Sequence, residues 1–491
     1  MFARFQPSFY RFSILFLSFL LVTSMACRDD DPAGNQNIED TGIEDTGPAD
    51  ADGDADGDAD TGADVDADSD ADEPDADPDE PDTSGDHDAD AGPTEPAHAV
   101  DILWTLDNSA SMCDAQATIR QGILSFAENI ADVDFHIAVT TTHMDEDFPL
   151  EPVASPGHFQ STPQPLPGFP WECHHPTDDD GEFLIDDFTP VLDAIELAVG
   201  CTEDPTQWQD LLTPDEADLR CTLNSMADGC SGSGPELETY FPDPDAYRTI
   251  PSVLRAQDYA GADGVVDVEA LKDDLVCITH VGSRGHGFEQ GLAAAVKALS
   301  PEMTGKLDGD PEAYPNAGFL RENATTAVIF VSDENDCSHD GTLDTLSNCA
   351  VHQCTIQENL GEDGALLAID DLREEFMRNV ALSKEWDVDE DTPLSELETL
   401  FGDNLIAASI HGAFQLDTDA SPADCEQDFT IEPSCDDTRV AWSGHRYSEF
   451  ISGFPTFYPT PEGSDDYSDI PGLICDDFTS SFDDIAALLV Q

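Results

Sequence analysis

The residues with the clearest chemical potential are Asp107, Ser109 and Ser111, spaced D-x-S-x-S in the stretch VDILWTLDNSASM from Val100 to Met112. A carboxylate and two hydroxyls on one turn are three oxygen donors of the kind a hard divalent cation takes. Asp, Asn and Ser are also good helix N-caps, and taken alone the motif reads first as a helix start. A second carboxylate changes the balance. Asp333 follows TTAVIFVS, Thr325 to Ser332, an apolar run of the kind found in the centre of a parallel sheet. In an open α/β sheet, ligands bind beyond the carboxyl ends of the strands. Asp107 and Asp333 are therefore expected on one rim. Two carboxylates about 4 Å apart repel by ~4 kcal/mol at an effective dielectric near 20. Such a pair persists when one is protonated or a cation lies between them, and the nearby hydroxyls favour the cation.

The elements that must position these groups are legible as alternating strand and helix patterns. Val100–Leu106 reads as a buried strand, followed by a helix with Ile119, Ile123, Phe126 and Ile130 on one stripe. Phe135–Thr141 is the next strand. Leu271, Leu275 and Ile278 are spaced as on a helix. GSRGHGFEQGLAAAVKAL, Gly282 to Leu299, reads as a Gly-rich turn opening a helix with Phe288, Leu292, Val296 and Leu299 on its buried face. A helix around Leu372–Leu382, a strand Leu405–Ile410, a helix around Tyr447–Phe454 and a last helix with Phe478, Phe482, Ile485 and Leu489 complete the pattern. The alternation predicts an α/β fold with an open, mostly parallel sheet flanked by helices. Residues 142–265, rich in Pro, Asp and Gly, read as an irregular insertion within it, pinned by disulfides.

Residues 1–27 read as a signal peptide: Arg4 and Arg11, an apolar run from Ile14 to Val22, then small residues before Cys27. A Cys in that place resembles a bacterial lipoprotein signal, which implies that Cys27 is the lipid-modified N-terminus. Ser24 stands where such signals usually carry Leu. Arg28 follows Cys27, so the Asp-next-to-Cys retention signal is absent, and the expectation is the outer membrane or cell surface. No later apolar run approaches the roughly 20 residues of a membrane span. Residues 28–96 are an Asp/Ala/Gly tract with almost nothing to bury, expected to be a disordered, self-repelling tether. Asp52, Asp54, Asp56 and Gly57 imitate the start of an EF-hand loop, but the twelfth position is Ala63 in place of the bidentate Glu. The folded part is expected over 97–491.

The net charge of −90 comes only partly from the tract, since 28 of the 107 acidic residues lie between Asp29 and Glu95. Such a surface repels nucleic acid and anionic membranes; contact with a membrane is expected through the N-terminal lipid alone. The other twelve cysteines fit an extracytoplasmic address and allow up to six disulfides, whose pairing is not legible. No C-x-x-C or Cys/His knuckle suggests structural zinc, and WECHH, Trp171 to His175, reads as loop.

On these residues the chain resembles a von Willebrand factor A domain, with Asp107, Ser109 and Ser111 matching its metal-ion-dependent adhesion motif and Asp333 its later Asp. NAGFLRENATTAVIFVSDENDCS, Asn316 to Ser338, and GFEQGL, Gly287 to Leu292, resemble a bacterial lipoprotein branch of that family. The resemblance implies a Rossmann-type sheet and a Mg²⁺ ion, or Mn²⁺ or Ca²⁺, bound on the rim. It also implies that a carboxylate of a protein or surface ligand completes the coordination. One departure is that His286 occupies the place where the family usually supplies Thr. Imidazole suits Mn²⁺, Zn²⁺ or Ni²⁺ better than Mg²⁺. Either His286 shifts the ion preference, or it is a helix-start residue bonded locally and water replaces the Thr; Ser283 is a further substitute. Glu334 replaces a small residue after Asp333 and adds negative charge at the rim. Glu289 and Gln290 read as first-turn capping residues. No G-x-S-x-G, H-E-x-x-H or P-loop is present, so a binding role is expected in preference to an enzymatic one. The alternatives are a structural surface protein with a vestigial rim, or a metal-assisted hydrolase with His339 as base.

Overall fold

The structure is a computed structural model. It describes residues 98–144, 155–164, 166, 189–215, 218–219, 222, 236–305, 313–341, 343, 354, 357–358, 364–389, 391–412, 441, 444–458, 474 and 479–490. The chain divides into two units, Met1–Asp86 and His87–Gln491. The signal-peptide, lipidation and tether readings, together with WECHH, Cys425, Cys435 and Cys475, lie outside the described residues.

In chain order the elements that frame the rim are β1 (Ala99–Leu106), α1 (Cys113–Asn129), β2 (Asp134–Thr141), α2 (Thr189–Gly200), β3 (Leu254–Arg255), α3 (Val268–Thr279), α4 (Gly291–Ala298), β4 (Thr325–Val331), α5 (Ile369–Ser383), α6 (Leu394–Phe401), β5 (Leu405–Ile410), α7 (His445–Ser452), β6 (Thr456–Tyr458) and α8 (Thr479–Leu489). The six strands form one sheet in the order β3-β2-β1-β4-β5-β6. All pairings are parallel except β2 with β3. The order reverses between β1 and β4, the switch point of a doubly wound sheet.

Both faces of the sheet are covered, as parallel strands require. The period-2 alternation of side chains sorts β1 and β4 between two cores. Ile102, Trp104 and Leu106 of β1, with Ala327, Ile329 and Val331 of β4, join Phe126, Leu275 and Phe482 from α1, α3 and α8. Leu103, Val328 and Phe330 face the other way, toward Leu292, Phe376 and Phe450 from α4, α5 and α7. Trp104 anchors the first core, edge-on to Phe126 at 5.1 Å and stacked on Phe482 at 5.2 Å.

The amino end of β1 carries a buried charge with its own counterions. Asp101, fully buried, accepts from Arg321 Nε and from the Arg321 backbone N–H, both at 2.7 Å. Burial nonetheless pushes Asp101 up to about 6, against the opposing pull of Arg321 and Lys384.

Two expectations are corrected. The stretch 142–265 is not irregular throughout: α2 forms there because Val191, Ile195, Ala198 and Val199 share one buried stripe, and β3 adds an antiparallel edge to the sheet. The helix after the Gly-rich turn starts only at Gly291, so Phe288 precedes it and packs with Cys337, Leu343 and Cys354. Two disulfides are present among the described residues. Cys201, after α2, joins Cys277 in α3, and Cys337 joins Cys354. Among the described residues no helix is long and apolar enough to cross a membrane.

Candidate metal centre

Leu106 pairs with Val331 in register, and the Asp107 N–H donates to Val331 O at 2.9 Å. The two strand ends thus deliver Asp107 and Asp333 to the same edge of the switch point. The turn after β1 is built by its own side chains. Ser109 N–H donates to Asp107 Oδ1 at 2.7 Å, and the Ser332 hydroxyl donates to Asp107 Oδ2 at 2.7 Å. Ser109 and Ser111 hydroxyls lie 3.0 Å apart, and Ser111 donates to Asp333 Oδ1 at 3.1 Å. Asp107, Ser109, Ser111 and Asp333 are therefore together. None of them caps α1, whose N-terminus at Met112 carries no side-chain cap.

The third wall is the Gly-rich segment 282–290. Its close packing needs two positions that lack a side chain, one against Gln164 and one against the β1 turn. Gly282 has a φ of +65°, and a Cβ there would meet Gln164 O at 2.0 Å. A Cβ on Gly285 would meet Asn108 O at 2.6 Å, and the Gly285 N–H donates to that same oxygen. Farther along, Gln290 N–H donates to Thr142 O beyond β2, and Glu289 O accepts from Cys337 N–H beyond β4. Clamped on both sides, the Glu289 backbone aims its side chain at the rim. Glu289 is wholly buried, and among the described residues no N–H or hydroxyl donates to its carboxylate oxygens; its neighbour is another acid, Glu334. Asn108 Oδ1 is likewise buried and without a donor among the described residues.

The electrostatics follow from this crowding. Burial pushes the Asp107 carboxyl above its usual range, against hydrogen bonds from Ser332 and Ser109 that favour the charged form. Asp333 is raised well above its usual range by burial, then by the charges of Asp107 and Glu334. Glu289 is raised well above its own by burial, then by Glu334 and Asp107. Four acidic groups thus converge, and neither Asp107, Asp333 nor Glu289 is paired with a Lys or Arg among the described residues. Buried carboxylates without counterions are costly, and a bound cation is one way such acceptors are satisfied. An all-oxygen set of carboxylates and hydroxyls fits a hard dication. On the donor chemistry and the orphaned oxygens, the residues present fit such an ion.

The Gly-rich segment meets the rim through Glu289, whereas His286 Nδ1 accepts the Phe288 N–H at 3.0 Å and its ring packs on Phe288. This is the local bonding that was the alternative to ligation. Ser283 is buried, with its N–H donating to Leu166 O. His339 Nδ1 accepts from Gly341 N–H within its own turn. The capping reading of Glu289 is corrected: it precedes the helix, and Leu292 N–H at the start of α4 is instead capped by Asp336 at 3.0 Å. Asp336 also accepts from Arg446 Nε and from Ser338, so it ties the β4 turn to α4 and α7. Sequence reasoning missed both acids. The available signal was their density: E-Q-G before a helix, and D-E-N-D after a strand too apolar to end in solvent. No family model matches the chain, and no curated protein matches it.

Proposed function

We propose that this chain is a lipid-anchored, extracytoplasmic protein with a von Willebrand factor A-like domain, carrying a long disulfide-rich insertion. In this reading it binds a divalent cation at the rim of its sheet and, through that ion, a protein or surface ligand. The reading rests on one observation above the others: among the described residues Asp107, Asp333 and Glu289 are buried together with no basic partner, and Glu289 has only other acids beside its carboxylate. Asp107, Ser109, Ser111 and Asp333 hold the ion, with Glu289 and Glu334 as further carboxylates. Mg²⁺ is the first choice by resemblance. Six oxygen-bearing side chains also suit Ca²⁺, which takes six to eight oxygen ligands.

The extra acids alter the class of ligand. With four carboxylates around a charge of +2, another acidic group arriving from outside meets net repulsion. The ligand proposed here therefore brings neutral oxygens or basic groups to the rim, where the family resemblance implies an acidic one. Calorimetric titration of the oxidised protein with Mg²⁺, Mn²⁺ and Ca²⁺ tests the reading. Saturable one-site binding that disappears in Asp107→Ala, with the circular dichroism spectrum preserved, is the expected result. Absence of that Asp107-dependent site in the wild type overturns it and leaves a structural surface protein.

A further inference from the structure

A second cluster of donors lies on the same rim, beyond β4 and β5. His445 and Glu449 are four residues apart on α7, a spacing that puts both on one helix face. Glu358 approaches from another part of the chain. One ligand atom from each of Glu358, His445 and Glu449 lies within 4.8 Å of the other two. His445 Nδ1 meets Glu358 Oε1 at 2.5 Å. The other Glu358 oxygen accepts from Asn335 Nδ2 at 2.8 Å, and Asn335 Oδ1 accepts the Arg446 N–H at 3.0 Å. Asn335 thus fixes both Glu358 and the first turn of α7, the outer support that orients metal ligands. The Glu449 carboxylate is exposed and makes no hydrogen bond or ion pair among the described residues.

An ion pair between His445 and Glu358 accounts for two of these three groups. It does not account for Glu449, a second carboxylate brought into the same space. We infer that Glu358, His445 and Glu449 form a second metal site, for a borderline transition dication of the Zn²⁺ class. The donor set decides the class. An imidazole nitrogen with carboxylate oxygens suits Zn²⁺, Co²⁺ or Ni²⁺, whereas the all-oxygen centre beside Asp107 suits Mg²⁺, Mn²⁺ or Ca²⁺. Three protein ligands to a tetrahedral ion leave a fourth position for water or an exogenous group. The inference stands on different residues from the Asp107 centre and survives the loss of that reading.

The test uses the full chain with Mg²⁺ in excess, titrated with Zn²⁺ by calorimetry and with Co²⁺ by visible absorption. Glu449→Gln is the decisive variant, since an exposed carboxylate is removed without disturbing the core. The expected result is one Zn²⁺ equivalent whose affinity falls at least tenfold in Glu449→Gln and in His445→Gln but is retained in Asp107→Ala. The Co²⁺ spectrum should change in the same two variants. Unchanged Zn²⁺ affinity in Glu449→Gln overturns the site, as does a Zn²⁺ equivalent lost with Asp107→Ala; weak sites on the acidic tract would show neither dependence on Glu449 nor on His445.

Discussion

Replacing Glu289 by Gln separates the two states of the rim. The amide keeps the shape and one oxygen donor but carries no charge. In the metal-free protein Glu289 is held well above its ordinary value by burial and by Glu334 and Asp107. A group whose folded pKa is raised holds its proton in the folded state after the unfolded chain has lost it. Stability therefore falls as pH rises above the unfolded value of 4.5 and levels off beyond the folded pKa. Each pH unit across that window costs about 1.4 kcal/mol. The Gln variant lacks this loss. In chelator at neutral pH it should melt a few degrees higher than the wild type, at roughly 2–4 °C per kcal/mol. With saturating Ca²⁺ or Mg²⁺ the order reverses, because the variant has lost a carboxylate ligand. Its ion affinity should fall at least tenfold, about 1.4 kcal/mol. Melting curves by circular dichroism in chelator and in dication, with calorimetric titration beside them, read both halves. A variant less stable than wild type in chelator, or one that binds the ion as tightly, refutes the argument that Glu289 is an uncompensated acid waiting for a cation.

Further expectations concern the neighbours. His286→Thr should leave the Mg²⁺ to Mn²⁺ affinity ratio within about twofold in calorimetry, about 0.4 kcal/mol, because Nδ1 is engaged by the Phe288 N–H. Gly285→Ala forces a Cβ against Asn108 O and should cost about 1–3 kcal/mol by overpacking; dication affinity should drop with it, since the segment carrying Glu289 is displaced. Converting Cys201 and Cys277 together to Ala opens a loop with a sequence separation of 76. Chain entropy puts the loss at about 4.5 kcal/mol, measurable by denaturant titration. Ion binding at the rim should survive, because the disulfide joins the residue after α2 to α3 and neither helix supplies a ligand. Proton release on ion binding should be detectable in buffers of different ionisation enthalpy, since Asp333 and Glu289 must bind the ion as carboxylates.

Much of the sheet was legible because its central strands are short apolar runs with nothing else to be. Leu405–Ile410 was read to the residue, and Val100–Leu106 and Phe135–Thr141 to within one. The edge strands were not, because β3 and β6 are only two and three residues long and strands of that length leave no period to detect. α2 was hidden by its surroundings: a stretch dense in Pro and Gly masked twelve helical residues. Of the rim, Asp107, Ser109, Ser111 and Asp333 were legible as strand-end residues with oxygen donors at short spacing. Glu289 was not, since a Glu just ahead of a helix is ordinarily a dipole or capping residue. What sets it apart is the path of the backbone, held by Thr142 and Cys337 far away in sequence. The triad of Glu358, His445 and Glu449 was invisible for the same reason.

β1 contains a comparison between its own two ends. Asp101, within the strand, and Asp107, the residue just past its carboxyl end, are equally buried, six positions apart. At the first, Arg321 supplies positive charge from within the chain, so that end of the sheet is complete on folding whatever the surroundings contain. At the second, no such residue stands opposite among the described residues, and under the proposed reading completion comes from solution. Stabilisation by a bound ion grows as RT ln(1 + [L]/Kd). The carboxyl edge of the sheet would then firm or soften with the dication activity of its environment while the amino edge stays indifferent. A fold built this way reports on the medium through one side only, the side on which its loops gather.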